Sequence, residues 1–192
     1  MPRNISNQDN QRLEEAILFA TKCHSGQVRK GSSIPYILHP LEAMQILAEM
    51  NGDTNLLIAG LLHDVVEDTD TGIDEIRDKF GDDVVHLVAA HSEDKSKTWQ
   101  ERKEAAIEEA HLAEPHLKKL ILSDKLANIR SMYKNYNEIG DKLWERFNAG
   151  KEKQEWYYGE LVKALADLKE DKDAKKHYAE FESLYLKCFG KA

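Results

Sequence analysis

Apolar residues recur at three- and four-residue intervals through most of the chain, a spacing that predicts a succession of amphipathic helices. Between Gln8 and His24 it sets Leu13, Ile17 and Ala20 on one face, with Glu14, Glu15 and Lys22 largely off it. Pro40 suits the first turn of a second helix carrying Leu41, Met44, Ile46 and Leu47, so His39 falls at its start, aimed into a cleft. Asp53 or Thr54 caps a third helix. Its apolar run, Leu56-Leu57-Ile58-Ala59-Gly60-Leu61-Leu62, leads into His63-Asp64 and Glu67-Asp68 before Thr69-Asp70-Thr71-Gly72 breaks it.

Short helices are expected over 73–80 and 82–90, separated by Gly81, and another over 99–112. Pro115 then begins a long helix containing Lys119, Asp124 and Asn128. After Tyr136 the aromatic and leucine positions predict two or three further helices, with joints at Asn148-Ala149-Gly150 and at the charge run 169–173. No segment reads convincingly as a strand. The expected class is all-α, as one domain with a core over about residues 8–136 and a helical C-terminal extension over 137–192.

A hydrophobic fraction of 41% and a charged fraction of 32% suit a water-soluble globular chain, and no apolar run approaches a membrane span. The start, Met1 to Gln8, lacks a signal-peptide core, so a cytoplasmic location is expected. Cys23 and Cys188 stand far apart with no companion at metal-ligand spacing, which argues against a disulfide framework or a zinc knuckle. The net charge of −8 opposes non-specific binding to nucleic acid polymers. A phosphorylated small molecule would instead need a local basic patch.

The chemistry-bearing residues cluster around His63-Asp64. On a single helix Glu67 lies one turn beyond His63 and Asp68 one turn beyond Asp64, so all four can address one cleft. Neighbours on a regular helix point about 100° apart, so His63 and Asp64 would have to straddle a metal held between helices. His39, His63, Asp64 and Asp124 together offer two imidazoles and two carboxylates, a donor set suited to a divalent metal. Each alone has an ordinary structural use as a helix-start residue, a cap or an ion-pair partner; the combination points to metal-dependent phosphate-ester hydrolysis. Glu67 and Asp68 at the C-terminal end of a helix oppose its dipole, which favours a working role: orienting water and taking its proton.

Four stretches resemble the hydrolase domain of the RelA/SpoT alarmone enzymes. They are Arg29-Lys30, Ile34-Pro35-Tyr36-Ile37-Leu38-His39-Pro40, Leu61-Leu62-His63-Asp64-Val65-Val66-Glu67-Asp68-Thr69, and Asp124-Lys125-Leu126-Ala127-Asn128-Ile129-Arg130. Their order and spacing match as well. The likeness spans about Gln8 to Arg130 and is similar to stand-alone small alarmone hydrolases, the metazoan SpoT homologue among them.

The resemblance implies an all-helical HD-type fold and removal of the 3′-pyrophosphate from guanosine tetra- and pentaphosphate, typically with Mn²⁺. By position it implies that His39, His63, Asp64 and Asp124 are the metal ligands and that Glu67 and Asp68 position water. Arg29 and Lys30 would face the nucleotide, where Arg can stack on guanine and Lys can meet phosphate. Asn128 would contact ribose or the 3′-phosphates, and Lys95, from the basic group Lys95, Lys97, Arg102 and Lys103, the 5′-phosphates. The alternative for that basic group is a solvated helix start paired with neighbouring acids, and Trp156 and Tyr157 are expected in the core rather than against a base.

Two departures bear on the implied function. The long RelA/SpoT enzymes continue into a synthetase domain whereas this sequence ends at Ala192, so hydrolysis without synthesis is expected; and Ser123 stands where the family often has Ala. Two other readings remain open: a different HD phosphohydrolase acting on NADPH or nucleotide monophosphates, and a non-catalytic alarmone-binding protein. A purely structural helical adaptor is a third, and it predicts no bound metal. Oligomeric state is not legible.

Overall fold

Ser6 opens the first helix by accepting the Asp9 N–H on its hydroxyl, and α1 runs Asn7–Cys23 with Ala16 and Ala20 fully buried. The computed structural model describes residues 6–92 and 94–190, which form two compact units dividing at Ser92. The first unit continues with α2 (Leu38–Glu49), α3 (Thr54–Leu62), α4 (Val65–Asp68), α5 (Ile73–Phe80) and α6 (Asp82–His91). The second holds α7 (Trp99–Leu112), α8 (Pro115–Ile139), a 3-10 segment Gly140–Arg146, α9 (Gly150–Ala164), a second 3-10 segment Ala166–Lys169, and α10 (Lys175–Phe189). The described residues hold no strand beyond one isolated bridge, Val28 with Pro35, so the all-α expectation holds.

Helix α3 is the centre of the first unit. It begins where Asp53 caps the Leu56 N–H, and every residue from Leu56 to Leu62 is buried. A helix apolar on all sides must be covered on all sides, and α1, α2 and α6 pack against it. Gly60 allows the closest of these approaches. A Cβ there would lie 2.5 Å from Leu47 Cδ1 and 3.5 Å from Met44 Cα, both on α2. Leu47 is itself fully buried and has no open space to swing into. Gly60→Ala is therefore expected to destabilise the protein by about 1–3 kcal/mol through overpacking, read as a lower urea midpoint at unchanged slope.

The third helix was expected to run unbroken through His63-Asp64 to Asp68, and here the structure differs. It ends at Leu62; His63 and Asp64 form a turn, and α4 is a separate single turn. Asp64 sits at φ −96°, ψ −7°, off the regular helical values, although the Asp68 N–H still reaches the Asp64 carbonyl at 2.9 Å. Two helix boundaries fall where expected: Gly81 separates α5 from α6 with φ +90°, a value suited to glycine, and Pro115 lies in the first turn of α8.

In the second unit α8 packs on α10 and on the first 3-10 segment, and α7 packs on α9. Trp144, Tyr158, Phe181 and Phe189 form an aromatic core, and Arg130 grips Glu180 with two hydrogen bonds of 2.7 and 2.8 Å. Cys188 is buried, which pushes its thiol up to about 11, and Cys23 lies 3.4 Å from the Thr71 hydroxyl; both cysteines are free. No helix among the described residues is long and apolar enough to cross a membrane.

Candidate metal centre

The close packing of α2 on α3 brings together two imidazoles, one from each helix. His63 is fully buried, and its Nδ1 lies 2.9 Å from the Gly60 carbonyl. A carbonyl can only accept, so Nδ1 carries a proton, and in the neutral ring Nε2 presents a lone pair. That lone pair faces His39 Nε2 at 3.3 Å. Asp64 Oδ2 lies 3.1 Å from His63 Nε2 and 3.5 Å from His39 Nε2. Three donor atoms from the first unit thus converge on one point, and the turn at His63-Asp64 is what lets two sequence neighbours do so.

This donor set passes the chemical test for a divalent metal. Two imidazole nitrogens and a carboxylate oxygen, largely withdrawn from water, suit Mn, Fe, Co or Zn. The Nδ1–H of His63 held by a main-chain carbonyl is also the outer-shell arrangement that fixes a ligating imidazole's tautomer and ring orientation.

Around these donors stand groups with other uses. The Tyr36 hydroxyl lies 2.6 Å from Asp64 Oδ2 and 3.1 Å from Asp68 Oδ2, so one hydroxyl links the donor cluster to the carboxylate expected to orient water. Asp68 is exposed and closes α4, with Glu67 half-buried just before it on the same turn. Arg29 lies over the Tyr36 ring at 5.7 Å, while Lys30 is exposed at the tip of the same loop. His91, at the end of α6, meets the His63 ring edge-on at 5.4 Å.

Asp124 belongs to the second unit. It is buried in α8, with Asn128 donating to Oδ1 at 2.6 Å and the Lys125 ammonium 2.6 Å from Oδ2. Burial alone would push Lys125 down, but the facing Asp124 charge, with Tyr157 and Tyr158 beside it, holds it well above the usual lysine range. Ser123, fully buried, donates its hydroxyl to the Leu120 carbonyl at 2.8 Å, so it sits in the helix core without an unsatisfied group.

Lys95 is exposed in the segment before α7. Near it, Asp94 accepts from Ser96, and Glu101 forms a capping box with Thr98; Glu93, one of the acids expected beside this cluster, lies outside the described residues. Lys103 lies over the Tyr157 ring at 4.9 Å. Tyr157 is buried as expected, whereas Trp156 is only half-buried and lines a surface cavity with Glu104, Ile107 and His111.

Sequence reasoning gave no individual role to Tyr36, Lys125 or His91. The signal for Tyr36 was its place three residues before His39, inside a stretch already singled out. For Lys125 it was adjacency to Asp124, and for His91 there was none.

This helical scaffold with a histidine–aspartate donor cluster is that of an HD protein: residues 16–147 match the HD domain family, and the chain belongs to it. Among curated proteins it is similar to human guanosine-3′,5′-bis(diphosphate) 3′-pyrophosphohydrolase MESH1, 42% identical over 123 residues that cover 62% of this chain and 69% of that protein. Among solved structures it resembles a metazoan orthologue of SpoT described as hydrolysing ppGpp. That similarity has a TM-score of 0.73 at 28% identity, covering 90% of this chain and 94% of that one. It also resembles a Listeria monocytogenes protein, with a TM-score of 0.71 at 34% identity over 80% of this chain and 99% of that one.

Proposed function

We propose that this protein removes the 3′-pyrophosphate of guanosine tetra- or pentaphosphate, giving GDP or GTP and pyrophosphate. The observation that carries the reading is the convergence of His39, His63 and Asp64, with Asp68 joined to them through one tyrosine hydroxyl, on an HD chain whose relatives are named for this reaction. His39, His63 and Asp64 hold the metal with Asp124 as the fourth ligand. Asp124 supports that role by its chemistry: it is a buried carboxylate whose Oδ1 accepts from Asn128, the kind of outer partner that orients a ligating carboxylate. The family likeness favours Mn²⁺, which supplies Lewis acidity: it acidifies water and neutralises phosphoryl charge.

The chain's own groups do the rest. Glu67 and Asp68 orient a water toward the 3′-linked phosphorus and take its proton as the new P–O bond forms. The bond from that phosphorus to O3′ breaks, and O3′ leaves with the electron pair, taking a proton from solvent to become the ribose hydroxyl. Arg29 stacks on guanine and Lys30 meets phosphate, both from the loop beside Tyr36. Asn128 contacts ribose or the 3′-phosphates, and Lys95 the 5′-phosphates.

The test is to incubate purified protein with guanosine tetraphosphate and Mn²⁺, with and without chelator, alongside NADPH and nucleotide monophosphates. GDP and pyrophosphate in equal amounts, lost with chelator and restored by Mn²⁺, is the expected result. Orthophosphate release, turnover of the other substrates alone, or binding without turnover would overturn the proposal.

A further inference from the structure

The loop between α1 and α2 does more than present Arg29 and Lys30. Its two ends are tied together: the Tyr36 N–H donates to the Gln27 carbonyl at 2.9 Å, and the Arg29 N–H donates to the Ile34 carbonyl at 2.8 Å, around the Val28–Pro35 bridge. This places Gln27 and Tyr36 side by side, and both reach the same residue of α4.

Tyr36 meets Asp68 through the carboxylate, with its hydroxyl 3.1 Å from Oδ2. Gln27 meets Asp68 through the main chain, its Nε2 donating to the Asp68 carbonyl at 2.6 Å. That carbonyl lies at the C-terminal end of a four-residue helix, where main-chain acceptors fall beyond the helix's own ladder. The orientation of the Gln27 amide follows from this contact. A carbonyl accepts only, so the amide nitrogen faces Asp68 and Oε1 is left to accept from His24 Nδ1 at 2.8 Å. His24 is buried, and its ring lies 4.9 Å from that of Tyr36.

A helix of one turn has little stability of its own. An exposed aspartate at its end would sample several positions unless something outside the helix fixed it. We propose that Gln27 and Tyr36 are positioning residues that hold Asp68 from its main chain and its carboxylate at once, and that Tyr36 ties its placement to the metal ligand Asp64. The proposal rests on the role given above to Asp68. Tyr36 keeps the water-orienting carboxylate in register with the metal, Gln27 anchors the turn that carries it, and His24 fixes the Gln27 amide. Because the same loop presents Arg29 and Lys30, nucleotide binding and Asp68 placement depend on one piece of backbone.

The experiment compares Tyr36→Phe, Gln27→Met, Asp68→Asn and the doubles Tyr36→Phe/Asp68→Asn and Gln27→Met/Asp68→Asn, all at saturating Mn²⁺ with guanosine tetraphosphate. Tyr36→Phe removes the hydroxyl alone and keeps the ring contacts with His24 and His39. Each single positioning variant is expected to lower kcat by about 10- to 100-fold, the range for outer-shell partners, with KM changed less than about twofold. Gln27→Met should leave Mn²⁺ affinity unchanged, because it touches none of the ligands. Combined with Asp68→Asn, neither should add more than about a twofold loss, since both act through Asp68. Wild-type kcat in both single variants, or losses that multiply fully in the doubles, overturns this inference while leaving the reaction intact. Full turnover by Asp68→Asn would overturn both this inference and the role assigned to Asp68. Thermal melting of each variant identifies any loss of kcat that comes from unfolding.

Discussion

His63→Ala is expected to bring hydrolysis down to the background of a metal-free sample and to reduce bound Mn²⁺ from about one per chain to near zero. His63 is fully buried, its proton committed to the Gly60 carbonyl, and its Nε2 set 3.3 Å from His39 and 3.1 Å from Asp64. Alanine deletes the donor that the other two converge on. Mn²⁺ should raise the melting temperature of the wild type and leave that of the variant unmoved, because only a state that binds ligand is stabilised by it. Elemental analysis showing full Mn²⁺ occupancy in the variant would remove His63 from the ligand set.

The second large effect is expected at Asp68→Asn. The amide keeps the size of the side chain but cannot take a proton from water, and loss of a general base typically costs about 10²- to 10⁴-fold in rate. Metal content and KM should stay near wild type, since Asp68 is exposed at the end of α4 and its carboxylate faces the Tyr36 hydroxyl at 3.1 Å. The two substitutions therefore separate cleanly: one loses metal and turnover together, the other turnover alone. Retention of more than about a tenth of wild-type kcat by Asp68→Asn would show that the carboxylate is not the base.

Much of this molecule was legible in the amino-acid order because helices announce themselves through local signals. Pro115 and Gly81 mark helix ends by their own backbone chemistry, and the structure places the ends there. The candidate donors stood out in the sequence for a different reason. His39, His63, Asp64 and Asp124 each have ordinary structural uses, but as a set of two imidazoles and two carboxylates they suit a divalent metal.

What was hidden depended on tertiary contact. Helical periodicity sends His63 and Asp64 in different directions; only the observed turn, with Asp64 at ψ −7°, explains how both reach one point. The link from Tyr36 to Asp68 spans 32 residues, and that from Gln27 to the Asp68 carbonyl spans 41. No propensity or spacing rule reaches so far. Lys125 beside Asp124 was visible as an adjacent pair, but its close pairing with that carboxylate required the packing around Tyr157 and Tyr158.

The single turn Val65–Asp68 leaves this protein with a division of labour that evolution can exploit. On the reading proposed above, the packed helices α2 and α3 set His39 and His63, whereas the Asp68 carboxylate borrows its order from a surface loop. On that reading, drift at Gln27 silences the chemistry while the scaffold and its grip on the cation persist. An ancestral hydrolase could thereby become a receptor for the same nucleotide without rebuilding its core.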